Sequence, residues 1–515
     1  MIPCNKKEDI HHMNKRTFSM MLAILAIAGA VSACGDAGTG ETKQTNASTT
    51  TAAVTDAEEV VEDNGRSGVK DTLPTDLDLG GQTVRFMVRA GDLDTSSEFI
   101  AEATNGDVVN DATFARNQAV EERLNVKIDF IQQNVNRHGG YTDTIRKSVT
   151  AGSDDFEVFA DGLYNTVPLT MEGMLLDMQT LEYLDFSKPW WNQTFMEMTR
   201  FNDRNYLVMG ELSQTMISGT FAMFFNKTMF KEYYPDDPTL YETVNAGQWT
   251  IEKLISYCTP LYRDLNGNGQ ADEFDQYGHF FTNTKTLAAD SFTGGANISL
   301  MVKESDGVYV FGGLNDRAAK FYSLMDTLLF ENNNTCRTPD NNEDVFNTMK
   351  NGQTMFTTWM LTGVNYLRDM DDDYGIIPMP KLDEAQDGYT SYCHDASSAF
   401  GIPATENDPN TSAALLEAMA AETYRVVTPA YFETALKGKY SRDSETSQML
   451  DLIVEGVYLD VGYIFGNSLG HPIDRMRTIL ASSTNCDKAI STMTKGESMY
   501  LKNMAKIIEK YDALE

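Results

Sequence analysis

From Leu79 the chain reads GGQTVRFMVRAGD, where Val84, Phe86 and Val88 alternate with other residues in the two-residue period of a strand. NDATFARNQAVEERLNVKIDFI follows, with Asn110 or Asp111 placed to cap a helix and Phe114, Ala115, Val120 and Leu124 on helical spacing. A second strand is predicted over 126–131. Strand, helix, strand opens a parallel α/β lobe, and a helix-like TIRKSVTAGSDD with the short strand FEVFAD extends the alternation to Asp161.

Nothing of this kind precedes Leu79. Lys15 and Arg16 stand before an apolar run, MMLAILAIAGA over 20–30, which leads into VSACG. The run is too short for a permanent membrane helix, and the sequence resembles a bacterial lipoprotein signal over 1–33, with Cys34 as the acylated residue. A secretory signal with an incidental cysteine is the alternative, and translation starts at Met1 or Met13. Residues 34–76 are rich in Thr, Ala, Gly, Asp and Glu, so they are expected to form a disordered tether with a reach of roughly 35 Å. Its TNASTTTAAVT stretch is either a plain solvated linker or a carrier of O-glycans. The expected location is the extracytoplasmic face of the cell membrane, held by lipid alone.

At 515 residues and 42% hydrophobic content, the chain is too long for a single core, so two or more lobes are expected. Lys plus Arg number 41 against 75 Asp plus Glu, a formal charge of -34, which argues against nucleic acid or an anionic bilayer as partner. The 6 cysteines show no C-x-x-C pattern and the 6 histidines no H-E-x-x-H. Nucleophile-elbow, Walker and dinucleotide motifs are absent from the sequence as well.

Several segments carry a family resemblance. AMFFNKTMFKEYYPD, QWTIEKLISYCTPL, MKNGQTMFTTWML, YGIIPMPK and SSAFGIPATENDPNTSAALLEAMA resemble, in order and spacing, segments of the extracellular solute-binding proteins (family 1, sugar type) that feed bacterial ABC importers. Trp249 precedes Thr250 where that family has the reverse order, and Thr354 stands where it often has Ala. The resemblance implies a type II periplasmic-binding-protein fold: two α/β lobes with a ligand cleft between them. It places lobe 1 at 77–217 and 381–435, and lobe 2 at 218–380 and 436–515. It also implies a monomeric, non-catalytic receptor that captures a small molecule or oligosaccharide and docks on an ABC permease. A surface glycan-binding lipoprotein without an importer, a glycan-active enzyme using paired carboxylates and a peptide-binding receptor are the alternatives.

A sugar site needs aromatic platforms and hydrogen-bonding side chains. By the resemblance, Trp359 falls where sugar-binding members place a stacking aromatic, with core filler as its other reading. Trp190 and Trp191, in SKPWWN, are ligand contacts or hinge packing, and Trp249 at a helix start is packing. Asp161 closes a strand, the end at which ligands gather in open α/β sheets. Glu211 and Ser213 in GELSQ, Arg89 at the end of the first strand, and Tyr392 and Asp395 in SYCHDAS complete the candidates.

DLNGNGQADEFD has the spacing of a calcium loop: Asp264, Asn266 and Asn268 at positions 1, 3 and 5, Gly269 at the turn, Asp272 and Asp275 at 9 and 12. Gln270 would add its carbonyl. A single copy, leading into FDQYGHFF, suits a structural Ca²⁺ brace better than a sensor or an assembly tag; an ion-free Asx-rich turn is the alternative.

Overall fold

The computed structural model describes residues 65–91, 94–135, 140–282, 287–338, 342–440, 443–482 and 486–514. The signal segment and Cys34 lie outside them.

Two sheets organise the chain. The first is built from β1 (Gln82–Gly91), β2 (Val126–Val135) and β3 (Val158–Gly162). The second contains β4 (Phe221–Asn226), β5 (Tyr277–Thr282), β8 (Thr335–Thr338), β9 (Thr354–Met360) and β10 (Tyr374–Ile377), with β6 (Met301–Lys303) and β7 (Tyr309–Phe311) forming a separate hairpin. Finally β11 (Ser398–Gly401) returns to the first sheet, whose order is β11-β3-β1-β2; the second runs β10-β4-β9-β5-β8. β1 is parallel to β2 and β3, with Phe86 opposite Phe130 and Val158. In each sheet one strand arriving from the other side runs antiparallel: β11 against β3, and β4 against β9.

Local chemistry explains the elements. The helix between β1 and β2 (Val108–Leu124) starts one turn before the expected caps, because Asp107 accepts from the backbone N–H groups of Val109 and Asn110. It ends where Asn125 takes the left-handed conformation at φ 46°. β4 is apolar up to Asn226, and β9 buries Thr354, Thr357 and Thr358 along with its apolar residues; both faces of each strand are covered, so period-two alternation disappears there.

Among the described residues, two segments cross between the sheets. The chain leaves the first sheet through the short helix Thr215–Ser218 into β4. Residues 381–390 stay beside the second sheet, where Lys381 bridges Thr250 and the Tyr389 hydroxyl donates to the Val244 carbonyl. Return to the first sheet follows through 391–397, with Thr220 bridged to Cys393. The helix Pro409–Glu422 and the π-helical run after it pack on Val108–Leu124, whereas Ser444–Glu455 packs on β10.

The expected disorder up to residue 76 is not what the structure shows from residue 65 onward. Arg66 pairs with Glu211 at 2.6 Å and lies over the Tyr424 ring, Asp71 pairs with Arg123 at 2.6 Å, and Leu73 is buried. A few well-spaced anchors dock this strap, a signal that segment composition dilutes. Among the described residues no helix is long and apolar enough to cross a membrane.

Candidate functional site

The carboxyl ends of β3 and β9 abut the crossing segments. Past β3, the Leu163 and Tyr164 N–H groups donate to the carbonyls of Ser397 and Asp395. After β9, Leu361 N–H donates to the Thr220 carbonyl. Strand ends from both sheets thus converge on 391–398, the place where open α/β sheets gather ligands.

A cavity of about 20 Å³ opens there between Tyr164, Asp395, Tyr463, Asn467, His471, Asp474 and Arg477. It brings first-sheet and second-sheet elements face to face: Asn467 Nδ2 donates to the Tyr164 carbonyl at 2.9 Å. Tyr164 is 41% exposed, so its ring face is open to a partner at the cavity rim. The cavity has room for about one water, so a larger guest enters only if the two sides part.

Behind the cavity wall sits a buried ion pair. Arg477 donates from Nε and Nη2 to the two carboxylate oxygens of Asp290 at 2.8 and 2.5 Å, and from Nη1 to Asp474 at 2.6 Å. Burial raises the Asp290 carboxyl to about 6 against the pull of Arg477, with Asp395 adding to the rise. The Tyr463 hydroxyl donates to Asp290 and accepts from the Asp395 N–H, and its ring stacks on Tyr392 at 4.5 Å.

The residues singled out from sequence fall into three groups. Asp395 alone lines the cavity. Arg89, Asp161, Ser213 and Tyr392 lie at the crossing but are buried supports. Arg89 Nη1 donates to Asp161 at 2.8 Å and Nη2 to the Ala396 carbonyl at 2.9 Å, while Asn165 Nδ2 occupies the other Asp161 oxygen at 2.9 Å. Burial pushes Asp161 up and Arg89 opposes it. Both Asp161 oxygens are thus engaged inside the chain, by Arg89 and Asn165, and it is Arg89 that reaches the crossing segment at Ala396.

Trp359, Trp190, Trp191 and Glu211 are away from the cavity. Trp359 is 2% exposed and meets Phe346 edge to face at 5.9 Å, so the expected stacking platform is core, the outcome of a strand covered on both faces. Trp190 packs on Tyr424; Trp191 meets Phe186 edge to face and donates from Nε1 to Glu417 at 3.0 Å. Glu211 is occupied by Arg66. Trp249 is core too, donating from Nε1 to the Pro378 carbonyl.

Sequence reasoning missed Tyr164, Tyr463, Asp290 and Arg477. Tyr164 was within reach, three residues past the strand-closing Asp161. Arg477 lies 187 positions from Asp290, and only tertiary contact joins them.

The Asx-rich loop gathers oxygens. Asp264 accepts from the N–H groups of Gly267 and Gly269, both glycines at positive φ (70° and 73°), and the Asn266 and Asn268 amides both donate to Asp272. The residue types are those of a hard-cation site, but in this conformation Asn266 and Asn268 Oδ1 accept from the N–H groups of Asn268 and Gln270, so the oxygens of Asp264, Asn266, Asn268 and Asp272 are all engaged within the loop. Asp275 fits less well as the closing ligand: it is 1% exposed and accepts from the Leu265 and Asp272 N–H groups and the Tyr262 hydroxyl.

No family model matches the chain, and neither does any curated protein. Solved structures do. The galacto-N-biose/lacto-N-biose I-binding protein of an ABC transporter from Bifidobacterium longum, in complex with lacto-N-biose, aligns with TM-score 0.56 at 12% identity, over 84% of this chain and 99% of that one. The GacH receptor of Streptomyces glaucescens, studied with acarbose, gives 0.51 at 15% over 82% and 99%. A family 1 extracellular solute-binding protein from Bifidobacterium longum subsp. infantis gives 0.53 at 13% over 82% and 100%. At such identities the likeness establishes the fold: this chain has the two-lobed α/β architecture of type II periplasmic binding proteins.

Proposed function

We propose that this chain is the substrate-binding receptor of an ABC importer and that its ligand is an oligosaccharide held between the two sheets. The observation that carries this reading is the exposed Tyr164 ring at the carboxyl end of β3, beside Asp395, Asn467, His471 and Asp474. A sugar offers an apolar ring face to an aromatic and a rim of hydroxyls to carboxylates, amides and imidazoles. Support comes also from the ligands of fold neighbours, lacto-N-biose and acarbose among them.

In this reading the chain performs no reaction. Ligand settles on one side of the open cleft, and closure adds contacts from the other, so affinity for the closed form exceeds that for the open one. A permease then reads the closed form. A lipid on Cys34 holds the receptor at the membrane, and Ca²⁺ in the 264–275 loop braces the second lobe without touching the ligand.

Titration of a glycan panel by calorimetry, with peptides as controls, tests the reading. A saturable glycan isotherm is expected, and Tyr164→Ala should weaken it by roughly 30-fold, the worth of one stacking aromatic at a binding hot spot. Glycan turnover, or binding of peptides alone, would overturn it.

A further inference from the structure

Thr215 ties the two crossings together. Its hydroxyl accepts from the Ser398 N–H at 3.2 Å and shares a hydrogen with Ser213 at 2.6 Å, and its carbonyl accepts from the Ser397 hydroxyl at 2.9 Å. Thr215 begins the outgoing crossing, whereas Ser397 and Ser398 end the returning one. Into this knot points a side chain from the turn after β1: Glu98, 5% exposed, whose Oε2 accepts from the Thr215 N–H at 3.3 Å and hydroxyl at 3.4 Å. Among the described residues its other oxygen, Oε1, is buried without a hydrogen bond of its own, and the nearby Ser213 hydroxyl favours the charged form only weakly against burial.

A buried carboxyl with one bare oxygen is tolerable when neutral and costly when ionised. Two cations face it. Arg89 of β1 is engaged by Asp161 and the Ala396 carbonyl; Arg116, fully buried on Val108–Leu124, is spent on the Glu98 and Phe99 carbonyls, Thr423 and Asn117. Neither makes a direct ion pair with Glu98.

We propose that Glu98 is a protonation-dependent latch on the crossing between the lobes: neutral, it leaves the Thr215 knot closed, and ionised, it favours opening and hydration of that knot. Burial holds the carboxyl up at about 7, opposed by Thr215 N–H, Ser213 and Arg89, against an ordinary value of 4.5. Opening hydrates the group and returns it toward that ordinary value. A carboxyl raised in the closed state stabilises it fully below the open-state value and loses that contribution as pH rises through the closed-state value. The knot is thus tightest below about pH 4.5 and loosens as pH rises toward about 7, where the loss levels off. What opening serves rests on the proposed cleft function, but the latch is measurable without ligand, so its failure would leave the receptor reading standing.

Hydrogen exchange of the ligand-free protein, corrected for intrinsic rates, is the test. Asp290 and Asp460 near 6 and Glu417 near 7 titrate in the same window, so global stability is not diagnostic and local exchange is. Exchange at 213–220 and 397–400 should rise at least about tenfold from pH 5 to pH 7 in the wild type and level off above. β9 should show no such rise. Glu98→Gln should remove the slope and keep exchange at its low-pH value. Thr215→Val keeps the titrating carboxyl and the Ser397 bond to the residue-215 carbonyl but removes the hydroxyl that accepts from the Ser398 N–H, so the slope should persist at 213–220 and exchange at Ser398 should rise at every pH. A flat wild-type profile, or a slope retained in Glu98→Gln, would each overturn the latch.

Discussion

Replacing Arg477 by Met should expose how much of the second lobe's stability rests on one buried pair. Asp290 is 0% exposed and receives two hydrogen bonds from Arg477 and one from Tyr463. Without the guanidinium, Asp290 must remain ionised in a desolvated site or take up a proton. Removing one partner of such a pair costs about 3–5 kcal/mol, whereas removing both costs far less. The sign with pH follows from the raised carboxyl, near 6 already in the wild type: the variant raises it further, so the penalty is largest at neutral pH and shrinks on acidification. Chemical denaturation of wild type, Arg477→Met, and the double variant Asp290→Asn with Arg477→Met, at pH 5 and pH 7, reads this directly. We expect the single variant to lose about 3–5 kcal/mol at pH 7 and distinctly less at pH 5, and the double variant to recover most of it. A loss below about 1 kcal/mol at pH 7, or an equal loss at both pH values, would refute the reasoning.

Trp359→Ala should cost about 3–5 kcal/mol in denaturation, as a core aromatic does, and binding measured on the folded fraction should be little changed; a stable variant that fails to bind would return Trp359 to the site. Chelation should lower the melting temperature, corresponding to about 2.7 kcal/mol when Ca²⁺ stands at 100 times its dissociation constant, and Asp264→Ala should abolish that dependence; a melting curve indifferent to chelator, with no calcium by elemental analysis, leaves only a turn. Cys34→Ala should move the protein out of the membrane fraction, and unchanged membrane association with unchanged N-terminal mass contradicts acylation.

What could be read from sequence follows from the range of the forces involved. Strand-helix-strand order was legible around β1 and β2 because Val84, Phe86 and Val88 alternate in sequence, β2 is half-buried with alternating exposure, and Val120 and Leu124 recur on one helix face. The loop at 264–275 was legible because its chemistry is local. Trp359 was not, since a sequence shows an aromatic on a strand but not that both faces of β9 are covered. Docking of 65–76 depends on Glu211, Arg123 and Tyr424, each far along the chain from its partner. Glu98 is one acid among many in sequence, and only its contact with Thr215, itself bonded to Ser398, sets it apart.

The central claim, that two lobes close on a glycan beside Tyr164, is tested most directly by small-angle scattering of the soluble body titrated with oligosaccharides. The account predicts a saturable fall in radius of gyration with a glycan, absent with peptides and shifted to higher concentration by Tyr164→Ala. Binding without compaction, or compaction that Tyr164→Ala leaves unchanged, would contradict it.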